Sequence, residues 1–190
     1  MSTPRPLGGQ VTPLQALRQA AGFLTPPYEV AASGPHHVAL RAPGDALPAV
    51  TLRLEKERRL FSRTFALLVE ASAPGRGPGA DVSATLEWTG LRRRRTLAGG
   101  GAPGEGEAWA SRLQDAGLLD GVGTMTNVVS LEARWDASRA TARLRLTTLA
   151  GALIGTTPTS SVAVPLEPED VRGLLRILRA LARAAVPPGT

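Results

Sequence analysis

The chain contains no cysteine. Disulfide staples, thiolate metal ligands and cysteine nucleophiles are therefore excluded, and thiol content sets no redox compartment. Histidine is nearly absent as well: His36 and His37 are the only two. Neighbouring residues of an extended chain point to opposite faces, so this pair cannot easily share a metal ion. With no cysteine and no His-x-Glu spacing beside it, no metal is expected. No cofactor is expected either. The chain lacks a nucleophile elbow and a carboxylate pair in a recognisable setting. No catalytic residue is assigned, and the reading leans away from an enzyme. Aromatic residues make up 4% of the chain, so its core must be mostly Leu, Val and Ala. The longest uncharged run, Thr147 to Leu166, is full of Thr, Ser, Gly and Pro, too polar for a membrane span. The start, Met1 to Gln10, has no apolar signal-peptide core. A cytoplasmic protein is expected.

Lysine is reduced to Lys56; the other basic residues among the 22 are arginine. Together with abundant Ala, 21 Gly and 16 Pro, this looks like the imprint of a GC-rich genome, which weakens any functional meaning of arginine as such. Net charge is +6, and 43% of the 190 residues are hydrophobic. That length and composition allow one domain with a real core. The expected layout is a tail over residues 1–11, one domain over 12–186 and a short tail over 187–190.

Organisation is clearest in the last third. Val129, Leu131, Ala133 and Trp135 alternate with Ser130, Glu132 and Arg134, the period-two signal of a half-buried strand. Asp136-Ala137-Ser138 reads as a turn. Ala142, Leu144 and Leu146 alternate with Arg143, Arg145 and Thr147 as an antiparallel partner. Ser161 to Leu166 gives a third strand. Pro168, Glu169 and Asp170 then suit the first turn of a helix. Val171, Leu174, Leu175, Leu178, Leu181 and Ala182 form one face of that helix, and Arg172, Arg176, Arg179 and Arg183 the other. Pro187-Pro188 forbids continuation. Burying the helix's four leucines contributes up to roughly 1.5–3 kcal/mol each.

Upstream, Thr12-Pro13-Leu14-Gln15 is a capping-box start for a short helix to about Ala21. A hairpin around Gly34-Pro35 follows, then a strand through Val50, Leu52 and Leu54. Phe61 to Ala71 fits a buried strand better than a helix, because the Pro/Gly-rich loop Pro74 to Gly79 follows it. Val82, Ala84, Leu86 and Trp88 form the inward side of another strand. Glu105 to Ala116 is a helix with Trp109 and Leu113 on one side. The heptad from Val82 to Trp88 echoes the one from Val129 to Trp135. A duplication with halves 12–120 and 121–186 would leave such an echo, and so would chance. The fold class expected is α+β: a mostly antiparallel twisted sheet of six to eight strands with three helices on one face.

Several stretches carry candidate chemistry. Arg92, Arg93, Arg94 and Arg95 can bind phosphates or simply keep an edge strand soluble. The stripe Arg172, Arg176, Arg179 and Arg183 is either a second anion-binding surface or a solvated helix face. The two would make a nucleic-acid or anionic-surface site if they adjoined in space. Gly99-Gly100-Gly101 before a helix lacks the P-loop ending and the dinucleotide fingerprint, and is expected to be a flexible connector. Ala150 to Gly155 is an apolar, glycine-bounded segment near small inward residues. This favours an apolar small molecule held between sheet and last helix by Ala84, Leu86, Trp88, Ala133, Trp135, Leu144, Leu153, Leu174 and Leu178. The leading expectation is thus a non-catalytic binding module for an apolar ligand. Nucleic-acid or anionic-surface binding is the alternative, and a homodimer formed through open strand edges is a further one.

Overall fold

The computed structural model of the chain describes residues 11–44, 47–58, 63–89, 94–157 and 160–186. The elements among them run α1 (Pro13–Phe23), β1 (Glu29–Ser33), β2 (His37–Arg41), β3 (Ala49–Arg58), β4 (Arg63–Pro74), β5 (Val82–Thr89), β6 (Arg94–Gly101), α2 (Glu105–Asp115), α3 (Leu118–Thr124), β7 (Val128–Asp136), β8 (Thr141–Thr157), β9 (Ser160–Ala163) and α4 (Pro168–Ala185). Strand neighbours are antiparallel throughout one sheet of order β1-β2-β3-β4-β8-β7-β5-β6, and β9 pairs with the C-terminal part of β8. The α+β class is as expected, with nine strands and four helices among the described residues. The short helix α3 carries no strong periodicity of its own and was not anticipated.

Alternation decides the two faces. Val50, Leu52, Val69, Ala71, Val82, Ala84, Leu131, Ala133, Trp135, Ala142, Leu144 and Leu146 are buried in one core with the helices. Residues between them, such as Arg53, Glu70, Glu132, Arg134, Arg143 and Arg145, form the opposite, solvated face. The two tryptophans of the core pack with their rings tilted by 53° and centroids 6.0 Å apart. Each indole N–H has a carbonyl partner: Trp109 donates to Ala133 at 3.3 Å and Trp135 to Pro78 at 2.9 Å.

The glycine run before α2 is not a flexible connector. Gly99–Gly101 closes strand β6, under the first turn of α2. A Cβ on Gly99 would lie 2.3 Å from the carbonyl carbon of Gly106, so only glycine lets helix and strand approach this closely. The apolar segment from Ala150 to Gly155 is likewise a continuation of strand β8, across an irregularity between its pairings with Phe65 and Leu67.

Helix α4 begins on Pro168, with Asp170 reaching back to the backbone N–H of Glu167 at 3.2 Å. Its last carbonyls are received by other elements: Arg112 Nη2 donates to Ala184 and the backbone N–H of Arg76 to Ala185. Helix α3 crosses it closely, since a Cβ on Gly121 would sit 2.8 Å from the Gly173 carbonyl oxygen.

Register places four hairpins at one end of the sheet. His37 faces Arg53, Arg58 faces Arg63, Arg63 faces Gly155 and Thr89 faces Arg94. The start of α4 is tied to the same end, because Asp170 Oδ1 accepts from the Thr126 backbone and hydroxyl, just before β7. The echoing heptads are direct neighbours here, with their midpoints Thr85 and Glu132 facing each other. Their ladder ends at that pair, so residues 86–89 of β5 are paired with β6 alone.

Candidate anion-binding surface

Two groups among the described arginines contrast. On the open face of the sheet Arg53, Arg134, Arg143 and Arg145 are matched with carboxylates, because register sets acids and bases side by side. Arg145 stands between Glu70 of β4 and Glu132 of β7, and donates twice to Glu55, at 2.8 and 3.0 Å. Arg53 meets Glu70 at 3.4 Å, Arg134 meets Glu132 at 2.8 Å and Arg143 meets Asp136 at 3.3 Å. Arg143 and Arg134 are directly opposite each other, and each turns to its own acid. The Ser138 hydroxyl, aided by the Arg139 backbone N–H and the nearby guanidinium groups, holds the Asp136 carboxyl below its usual range. The hydrogen-bonded carboxylate of Glu55 holds Arg145 still more firmly protonated. A depression of about 440 Å³ lies among these pairs, lined by Thr51, Glu70, Ser72, Arg134, Arg143 and others. Its charged side chains are already engaged in ion pairs across the sheet.

On the helix side the matching is missing. Arg172, Arg176, Arg179 and Arg183 are all exposed along α4. Among the described residues, only Arg172 of the four has a carboxylate partner, Glu169 one turn earlier. Arg176 Nη1 donates to the Thr124 hydroxyl at 3.1 Å, and Arg183 Nε to the Arg179 carbonyl at 3.4 Å. Arg95 Nη1 donates to the Val122 carbonyl at 2.9 Å. Val122 and Thr124 are two residues apart in the last turn of α3. A helix C-terminus carries partial negative charge that attracts cations. Arg95 of the arginine run and Arg176 of the stripe therefore converge on one helical turn.

Beside them is an exposed aromatic ring. Trp88 shares the helix-facing side of β5 with Val82, Ala84 and Leu86, as alternation predicts, but it lies past the helix cover and is 44% exposed. The expectation that it is an inward core residue is corrected on this point. The Arg95 guanidinium stacks over its ring, 5.1 Å from the centroid. Arg112 approaches Trp109 in a similar way at 5.7 Å, but that arginine is occupied in closing the end of α4.

Arg92 and Arg93 lie outside the described residues, and Arg94 stands on β6 opposite Thr89. Of the residues expected around an apolar ligand, Ala84, Leu86, Ala133, Trp135, Leu144, Leu174 and Leu178 come together in the main core. Leu153 is buried but lies outside that cluster. Leu174, Leu178 and Leu181 are completely buried, as a closed interface requires. Among the described residues, no group of three or more His, Asp or Glu side chains is placed to hold a metal, and no helix is long and apolar enough to cross a membrane. Sequence reasoning missed the exposure of Trp88. The available signal was its position at a strand end, shortly before a four-arginine run. Comparison with protein-family models, with curated proteins and with solved structures finds no match to this chain.

Proposed function

We propose that this protein is a non-catalytic binder of anionic polymers or surfaces, acting through the arginines of its helix side. The observation that carries this reading is the contrast between the two arginine populations. Arg53, Arg134, Arg143 and Arg145 on the open face are paired with carboxylates at 2.8–3.4 Å, whereas Arg95, Arg176, Arg179 and Arg183 have no carboxylate partner among the described residues. Uncompensated guanidinium groups on one face concentrate positive potential where a polyanion can release its counterions. Fixed placement favours them further, since Arg95 and Arg176 are held by hydrogen bonds to α3 rather than free to rotate. The apolar-ligand reading has the packed leucines of α4 against it. A homodimer has one specific observation in its favour: all five residues of the edge strand β1 are exposed, leaving an edge that a second copy can pair.

The test is a titration of a fluorescein-labelled oligothymidylate over a range of salt concentrations. Arg176→Gln and Arg179→Gln are expected to weaken binding and to lower the salt slope by about 0.7 for each phosphate that goes unneutralised. The open-face control Arg134→Gln/Arg143→Gln is expected to leave both unchanged. Equal losses in the two sets, or none in the first, would refute the assignment to the helix side.

A further inference from the structure

Resting on that reading, we infer that the polymer is a single-stranded nucleic acid, and that Trp88 is the residue on which its bases stack. Three observations lead there. First, the ring is uncovered: Trp88 is 44% exposed, while the other two tryptophans, Trp109 and Trp135, are 0% and 3% exposed. Second, space lies beside it in the sheet. The β5–β7 ladder stops at Thr85–Glu132, so no β7 residue is paired beside Trp88; Val129, 39% exposed, sits at an irregularity of β7 and lines the open face with Glu55, Glu132 and Arg145. Third, the ring is oriented by charge. Arg95 holds its guanidinium over Trp88 at 5.1 Å while its Nη1 is anchored on Val122 at 2.9 Å. The same arginine then fixes the ring and brings positive charge to it.

A charged face alone would serve any polyanion. A solvent-facing indole fixed within such a face adds a surface for flat, apolar groups spaced between charges. Bases of a single strand have that form, because every base offers a π-face next to a phosphate. In a duplex those faces are buried in the stack, so the arrangement selects against paired strands. An anionic lipid surface can also receive a tryptophan at its interface, and it is the competing source of the same chemistry. The single strand is favoured because the Trp88 ring stands against the Arg95 guanidinium. Val129, also exposed, lines the open face with Glu55 and Glu132, so it adds nothing to an insertion of Trp88 into acyl chains.

Four probes separate the cases: an oligothymidylate, an abasic deoxyribose-phosphate oligomer of equal length, a duplex, and phosphatidylcholine–phosphatidylglycerol vesicles. The wild-type chain is expected to bind the oligothymidylate more tightly than the abasic oligomer. Trp88→Ala is expected to weaken oligothymidylate binding by about fivefold to a hundredfold, with abasic affinity and salt slope unchanged. Trp88→Phe, which keeps an aromatic face, is expected to retain most of the preference, and circular dichroism checks that each variant is folded. Stacking should also quench the fluorescence of Trp88 while the two buried tryptophans keep theirs. Equal binding of thymidylate and abasic oligomers by the wild type would overturn the inference and leave polyanion binding standing. Failure to bind the oligomers, the duplex and the vesicles alike would overturn the underlying function as well. Vesicle binding that depends on Trp88, without any preference for bases, would replace the single strand by a lipid surface.

Discussion

Asp170 joins the start of α4 to the segment between α3 and β7, and its removal gives a calculable loss. The residue is 1% exposed. Its Oδ1 accepts from the Thr126 backbone N–H at 2.8 Å and the Thr126 hydroxyl at 2.9 Å, and its Oδ2 accepts from the Glu167 N–H at 3.2 Å. Hydrogen bonds to a charged acceptor contribute about 1.5–3 kcal/mol each. Thr126 is exposed, so water replaces part of what its two donors lose. The Glu167 bond is one of the helix-start bonds, whose loss costs about 1 kcal/mol. Asp170→Ala should therefore destabilise the fold by about 3 kcal/mol, or about 6–12 °C in Tm for a chain of this size. Asp170→Asn keeps the shape and one acceptor oxygen but turns a donor toward the Glu167 N–H, and should cost about half as much. Urea unfolding monitored by tryptophan fluorescence measures both. An Asp170→Ala midpoint within about 0.5 kcal/mol of wild type, at unchanged m-value, would show that the junction is held by packing at the Gly121–Gly173 crossing and not by this carboxylate.

The single tyrosine provides a clean pH experiment. Tyr28 is fully buried and donates its hydroxyl to the Pro48 carbonyl at 3.0 Å; desolvation raises its pKa above the ordinary value of 10.0, with Arg179 partly opposing. Because the unfolded chain ionises first, this contribution to stability is whole below about pH 10 and falls as pH rises beyond it, and phenolate absorbance in native protein should lag behind that of unfolded protein. Arg179→Glu should act oppositely on stability and binding: it sets a carboxylate within one turn of Arg176 and Arg183, raising the stability of the free protein by about 0.2–0.5 kcal/mol per new pair while weakening oligothymidylate binding. A variant that is neither more stable nor weaker in binding would contradict the repulsion on which the functional proposal relies.

The strands β5, β7 and β8 were legible because one face of each is buried and the other solvated, so period-two alternation survives in their residues. Helix α4 was legible for the same kind of reason, with Leu174, Leu178 and Leu181 repeating on one side. Other features depend on packing between distant segments that no local pattern records. Gly99 and Gly106 have the composition of a loop, and their role is the close approach of α2 to β6. Gly77 also looked like part of a simple loop, yet a Cβ there would meet the Trp135 ring at 2.4 Å. Trp88 continues the buried parity of its strand, but cover depends on how far the helices extend over the sheet, which no pattern within the strand records. The candidate surface was half legible: both arginine groups stood out, and their meeting on α3 did not.

That meeting gives the arginine content a meaning that composition withheld. A genome rich in GC supplies arginine everywhere, so its abundance alone argues for nothing. The distribution of acids is more informative. Across the sheet, Glu55, Glu70, Glu132 and Asp136 are placed so that register and long side chains pair them with Arg53, Arg134, Arg143 and Arg145. Along α4 no acid follows Asp170. Residues three and four positions before Arg176 are Gly173 and Arg172, and those before Arg183 are Ala180 and Arg179, so these two arginines have like-charge neighbours where Arg172 has Glu169. Each such pair destabilises a helix by about 0.2–0.5 kcal/mol. The packed leucines offset that repulsion many times over, which is why the fold tolerates it. Tolerance does not explain why the same chain compensates its arginines on one face and leaves them uncompensated on the other. Under the proposed function a polyanion would neutralise the stripe from outside, and the fold would then need no acids of its own there.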